Sequence, residues 1–483
     1  MADALGLYVL LLPFAVALVE GGLGRYLHPK FMAGLSALAA AVPGIFAALE
    51  MISGGYQYVF LSAGGLGQFS VLIDGLNWPV VAAISIVSSA VSMYSVPYMR
   101  TRFEDLGTDG WGTYFALYVL FFSAMFGMVE SNNFILFYVF LELALVPSFL
   151  LILFYGYGNR GRISMMYFIW THVGALTFLL GALIYGSVLG TFNFYPVPSV
   201  APLAALAPLV AALLLVGLLI KMAAFGVHVW LPYAHAEAPT PISALLSPNL
   251  IGIAGYALVR MPLALFRPLL LSAQWILLAV ALLTVFYGGL LVFRQTDLKR
   301  LLAYSSIAQM GYILLGIASF SPLGIAGAML QYFAHAIGKS VLFSSAGVMI
   351  TENEGLRDVR KMGGVAKSMP YTASLSLWGF MNISGLPPSV GFFSKLFILL
   401  GIASLAAQGP AGLFVFVLVL ISLGLTPAYS FFAMKKVFFG PSQSRFTEGG
   451  LWMLLPSAAI GAFGLLAFLF PGFMVGPLLS FLR

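Results

Sequence analysis

The sequence predicts an all-α polytopic membrane protein, and three observations carry the prediction. Hydrophobic residues make up 61% of the 483 and charged residues 8%, with a mean hydropathy of +1.03; a soluble fold of this length needs far more charge to cover its surface. The apolar residues come in repeated runs of about 18 or more, long enough at 1.5 Å per residue to cross roughly 30 Å of hydrocarbon. The basic residues collect in alternate connections between those runs, as they do in a chain threaded to and fro across a bilayer.

The runs fall at 4–24, 32–52, 77–98, 112–130, 133–155, 163–190, 203–226, 241–263, 269–293, 301–320, 323–350, 370–404, 411–434 and 451–481. That is about fourteen spans, in one membrane domain covering 1–483. The first run ends near Glu20 and Arg25 with no small-residue cleavage site and is read as a retained span. Between the second and third runs, Tyr56 to Asn77 alternates glycine, aromatic and aliphatic residues around AGGLG, which predicts a short hairpin on the membrane surface. Spans 1–3 (residues 1–110) precede two five-span units, 111–263 and 264–440, and residues 441–483 hold the last span.

The connections alternate in charge. Arg25 and Lys30 follow the first span, Arg100 and Arg102 the third, and Arg160 and Arg162 the fifth. Arg294, Lys299 and Arg300 follow the ninth, Arg357, Arg360, Lys361 and Lys367 the eleventh, and Lys435, Lys436 and Arg445 the thirteenth. The even-numbered connections are nearly empty, apart from Arg260 and Arg267 after the eighth. Basic connections stay on the cytoplasmic side, so both termini are expected outside a prokaryotic cytoplasmic membrane. The net charge of +7 is thereby a topology signal, and no nucleic acid is implied. With no cysteine the chain makes no disulfide, iron–sulfur ligation or thiol chemistry. There is no HExxH, no carboxylate cluster for a metal and no phosphate-binding glycine loop, so no metal and no cofactor is expected on this chain.

Against that apolar background, Glu142, Lys221, Lys339 and Lys395 lie inside the runs. A charge at mid-bilayer costs about 2.5–3.5 kcal/mol on insertion scales, so each is a functional candidate, to be weighed against snorkelling or a structural ion pair. Two of the lysines lie beside helix breaks: Lys221 precedes a stretch containing Pro232, Pro239 and Pro241, and Lys395 follows Gly385-Leu386-Pro387-Pro388. Backbone freed by a break is tolerated in a bilayer only inside protein or along a wet cavity. The opposite order of lysine and break is what two inverted repeats, spans 4–8 and 9–13, would produce. Histidine suits a proton relay: His335 sits one helical turn before Lys339, while His172, His228 and His235, with Glu237 and Asn249, are accessory candidates.

HVWLPYAHAEAPTPISALLS, RQTDLKRLLAYSSIAQMGYILLG, HAIGKSVLF and GLPPSVGFFSK, in that order over roughly 80–440, resemble the antiporter-like proton-pumping subunits of respiratory complex I, the Mrp antiporter large subunits and the membrane-bound hydrogenase subunits. The resemblance implies a fifth-span glutamate at Glu142, a seventh-span lysine at Lys221 that gates proton uptake with it, an eleventh-span histidine at His335 and a twelfth-span exit lysine at Lys395. Where many relatives carry an eighth-span lysine, this chain has Gly252, with Asn249, His335 and Lys339 nearby to fill the gap. Lys395 resembles the exit of the L, N and Mrp types, whereas the absence of a long lateral helix after the last span resembles the M and N types. An M-like or N-like subunit is therefore expected. The resemblance further implies proton transport driven by electron transfer in partner membrane subunits of a translocating oxidoreductase, or of an energy-converting hydrogenase. Flavin, iron–sulfur clusters and quinone belong to those partners. The alternative is a sodium/proton antiporter subunit.

Overall fold

The computed structural model describes residues 4–441 and 446–482; Arg445, counted above among the basic connections, lies outside the described residues. Twelve helices are long and apolar enough to cross a membrane, and two further crossings are each made by a pair of shorter helices, so the fourteen runs are all present. In order they are α1 (Leu5–Leu23), α2 (Pro29–Ser53), α3 (Trp78–Leu106), α4 (Trp111–Glu130), α5 (Phe134–Tyr155) and α6 (Arg160–Leu189). The pair α7 (Ala207–Lys221) and α8 (Trp230–Glu237) follows, then α9 (Thr240–Ser272), α10 (Gln274–Val292), α11 (Leu298–Ala318) and α12 (Pro322–Thr351). The second pair is α13 (Pro370–Ser384) and α14 (Val390–Ala406), followed by α15 (Pro410–Val437), α16 (Leu451–Leu469) and α17 (Gly472–Leu482).

Helix starts follow their capping residues. The Asn133 side chain accepts from the Ile135 amide at 2.9 Å, Asp297 from Arg300 at 2.9 Å and Ser321 from Gly324 at 3.0 Å, each meeting an amide that has no acceptor within its own helix. The hairpin is present: β1 (Tyr56–Ser62) pairs antiparallel with β2 (Gln68–Ile73), Tyr56 opposite Ile73, with an irregularity between Val59 and Leu61. It marks one face of the molecule. The basic connections lie on the opposite face, since every crossing reverses direction. Five crossings per unit start the second unit from the face opposite to the first.

The innermost helices are α9 and α12, whose most apolar stretches are wholly buried, whereas α1 and α15 are mostly open on their flanks. An apolar helix buried on all sides belongs to the centre, and here the centre is also where the charges are. Two π-helical turns interrupt α9, at Leu246–Leu250 and Val259–Leu263.

Three boundaries differ from expectation. The run 451–481 is two helices, because Phe470 leaves helical geometry ahead of Pro471 (φ −122°, ψ 60°) and α17 turns away. The boundary placed at 263/264 falls inside α9, which passes Pro262 within its second π turn and continues to Ser272. Arg260 and Lys299 are not connection residues: they are 2% and 1% exposed and point inward.

Candidate functional site

The two interrupted crossings set the geometry. After Lys221, Ala223 (φ 57°) and Gly226 (φ 89°) take left-handed conformations that stop α7, and the Trp230 indole N–H donates to the freed Ile220 carbonyl at 3.2 Å. The break thus precedes the prolines. Pro232 lies in the first turn of α8, where a missing N–H costs nothing, and Pro239 caps α9. In the other crossing Gly385 (φ 75°) ends α13, Pro387 and Pro388 fill the gap, and Lys395 Nζ donates to the Ser384 carbonyl at 3.2 Å. A cation there meets the negative end of α13. A Cβ on Gly385 would come within 2.8 Å of Lys395 Cδ, so this close approach requires glycine.

Lys221 is 4% exposed and has no hydrogen-bond partner among the described residues. The Glu142 carboxylate acts on it electrostatically without forming an ion pair. Glu142 is held instead by His172, whose Nδ1 lies 3.1 Å from both carboxylate oxygens. His172, an accessory candidate from sequence, is therefore in direct contact with the gating glutamate. This pair is 21% and 35% exposed on the outer flank of α5 and α6, with Phe168 stacked on the imidazole.

Toward the centre, Lys339 donates to the Leu302 carbonyl at 2.8 Å and to Ser305. His235 lies within electrostatic reach of both Lys339 and Lys299, its ring 5.2 Å from that of Phe343. Lys299 itself donates to the Ala238 carbonyl, near the Glu237 carboxylate and the Asp297–Arg357 ion pair at 2.8 Å. His335, His235 and Asn249 are 0% exposed, and none of their side-chain nitrogen or oxygen atoms has a protein partner. A ring lies against Gly252: a Cβ there would collide with Tyr332 of α12, whose buried hydroxyl is also unpartnered. The eighth-span lysine is replaced by a tyrosine from another helix.

Beyond His335 the polar groups are bonded to one another. Gln331 donates to Gln309 at 2.7 Å, Gln309 to the Tyr429 hydroxyl at 2.7 Å, and Ser394 to Gln331 at 2.5 Å. Tyr312 donates to the Ser422 carbonyl and presents its ring 4.4 Å from Lys395 Nζ. Of the sequence candidates, His228 stands apart, its ring 4.5 Å from that of Tyr287, and Glu237 lies toward the basic face. Sequence reasoning missed Lys299, Gln309, Gln331 and Tyr312. The glutamines carry a signal, since both are uncharged polar residues inside apolar runs, spaced to meet across two adjacent helices.

The arrangement is a file of titratable and hydroxyl groups through an apolar bundle. Residues 131–434 match the family model described as NADH:quinone oxidoreductase/Mrp antiporter, transmembrane. The chain is 34% identical over 388 residues to the F(420)H(2) dehydrogenase subunit M of Methanosarcina mazei, covering 77% of this chain and 74% of that one. It is 33% identical over 386 residues to NAD(P)H-quinone oxidoreductase chain 4-2 of Synechocystis sp., covering 77% and 66%. Among solved structures it matches a chain of respiratory complex I from Thermus thermophilus at 26% identity and a TM-score of 0.82, covering 99% of this chain and 98% of that one. A chain of the Mrp complex from Dietzia sp. has the same fold, with a TM-score of 0.84 at 20% identity over 99% and 97%.

Proposed function

The chain belongs to the NADH:quinone oxidoreductase/Mrp antiporter transmembrane family, and from that premise we propose that it moves protons across the membrane as one subunit of a redox-driven, complex I-type pump. The observation that carries the proposal is the file of buried groups running from Glu142 and His172, past Lys221, to His235, Lys339, His335 and Lys395. Burying them is costly, and nothing in the packing requires it.

The physics needs no covalent step. A buried lysine keeps its proton when a carboxylate stands beside it and tends to lose it when the carboxylate is engaged elsewhere. In the conformation described, Glu142 is bound to His172, leaving Lys221 as the donor. Swinging Glu142 toward Lys221 reverses that bias. Because the Glu142–His172 pair is open on the membrane flank, and a charged pair facing lipid is unfavourable, a neighbouring membrane subunit is the natural cover and the natural lever. Electron transfer, with its flavin, iron–sulfur clusters and quinone, belongs to partners. A proton leaving Lys221 passes by water through the unpartnered groups around His235, Lys339 and His335 toward Lys395, which the broken helix holds. Amines and imidazoles are proton carriers, whereas a hard cation such as sodium needs converging oxygen donors, so proton transport is favoured over sodium exchange. The basic face is the cytoplasmic side and the hairpin face the outer side.

Lys221→Ala should abolish proton translocation while the complex still assembles and oxidises its donor. The measurement is protons moved per electron pair in proteoliposomes of the whole complex, with reduced F420 and NADH as trial donors. An unchanged ratio would refute the proposal.

A further inference from the structure

A second group of buried charges lies where none of the residues above reaches, between the centre and the hairpin face. Arg260 is 2% exposed, and its Nη2 donates to Asp74 at 2.6 Å. Its Nε donates to the Tyr256 hydroxyl at 3.0 Å, and the Tyr256 hydroxyl donates to the Val129 carbonyl at 2.9 Å. The next residue, Glu130, ends α4; it is 3% exposed, and its carboxylate has no hydrogen bond or ion pair among the described residues. It acts electrostatically on the Tyr256 hydroxyl, as do Asp74 and Arg260. Three charges from three elements thus converge on one tyrosine. Arg260 Nη1 and Asp74 Oδ2 are buried and unpartnered.

The group is continuous with the centre. Asn249, Gly252, Tyr256 and Arg260 follow one another along α9 at intervals of three or four residues, spanning about 16 Å at the helical rise. Asn249 and Tyr332, which lies over Gly252, contribute buried polar atoms without partners, and such atoms in an apolar interior are satisfied by water. On the hairpin side α17 closes the group. Phe481 and Tyr195 cover the Arg260 guanidinium at 5.0 and 5.3 Å, Trp78 fastens α17 by donating to the Phe473 carbonyl at 3.1 Å, and a Cβ on Gly75 would strike the Pro477 carbonyl.

A tie between the hairpin and α9 would explain the Asp74–Arg260 pair. It would not explain Glu130, a desolvated carboxyl with nothing to hold, or the file of unpartnered groups leading toward it. We propose that this face of α9 is a second proton outlet, running from Asn249 and Tyr332 past Tyr256 to Glu130 and the Asp74–Arg260 pair, and opening at the hairpin face beneath α17. Glu130 takes the proton at its carboxylate, Tyr256 orients it, and Asp74, 14% exposed, hands it to water. The inference rests on the proton-translocation proposal, and it makes Lys395 one of two exits.

The test uses the whole complex in proteoliposomes and compares protons per electron pair in Glu130→Gln, Tyr256→Phe, Glu130→Asp and Lys221→Ala. Both Glu130→Gln and Tyr256→Phe are close to isosteric and leave the Asp74–Arg260 pair intact. Each should lose part of the translocated protons with donor oxidation continuing, and Glu130→Asp should restore most of them, which a packing role would not. If Lys221→Ala stops translocation while Glu130→Gln and Tyr256→Phe translocate normally, the outlet is refuted and the proposed function stands. If all four translocate normally, the proposed function falls and takes the outlet with it.

Discussion

The polar groups around Lys395 and those around α9 are equally buried but differently bonded. Near Lys395 the side chains form a closed circuit: Gln331, Gln309, Tyr429 and Ser394 bond among themselves, Tyr312 bonds a backbone carbonyl, and the lysine is fixed to Ser384. Around α9, His235, His335, Asn249 and Tyr332 share the same dryness but have no protein partner at their polar atoms. A circuit satisfied by protein is rigid and holds a charge in place. Groups left open to water can change partners, and a proton relay requires that of its middle. The difference teaches that the ends of this path are built for position and the middle for exchange.

That contrast can be broken by substitution. The largest effect on stability is expected for Gln331→Leu, which leaves Gln309 and Ser394 unpaired; each stranded group should cost about 1–3 kcal/mol, read as a lower unfolding midpoint of the purified complex. A midpoint equal to that of the unaltered complex would mean the circuit is not structural. Gly252→Ala should cost about 1–3 kcal/mol by overpacking against Tyr332, and Tyr332→Leu in the same chain should recover part of it. Full additivity would mean that the two residues do not press on each other. The smallest change in stability, less than about 1 kcal/mol, is expected for His335→Leu, because no protein hydrogen bond is lost. The same variant should nonetheless depress proton translocation. A large loss of stability with normal translocation would reverse the assignment of the two regions.

The fourteen crossings were legible because the bilayer demands length and apolarity, both of which are plain in composition. Lys221, Lys339 and Lys395 were legible because a cation in the middle of an apolar run has no bland explanation. Lys299, Arg260 and Glu130 were not, since all three lie near helix ends, where sequence cannot tell a side chain that points to water from one that turns inward. Tyr332 was hidden for another reason. It fills the space at Gly252 from a helix some 80 residues away, and no local pattern encodes that meeting. The break after Lys221 was expected at the prolines, yet proline is harmless in a first turn, and the left-handed Ala223 that ends α7 leaves no compositional mark.

The two π turns of α9 give this helix a property its neighbours lack. Each π turn accommodates one residue more than an α-helical turn would hold. Deleting one residue at Val259–Leu263 would restore plain α geometry and swing everything beyond it by about 100°. Along α9, changes in length therefore act as rotations. A one-residue deletion ahead of Arg260 would turn its guanidinium off Asp74 without altering a single side chain on either.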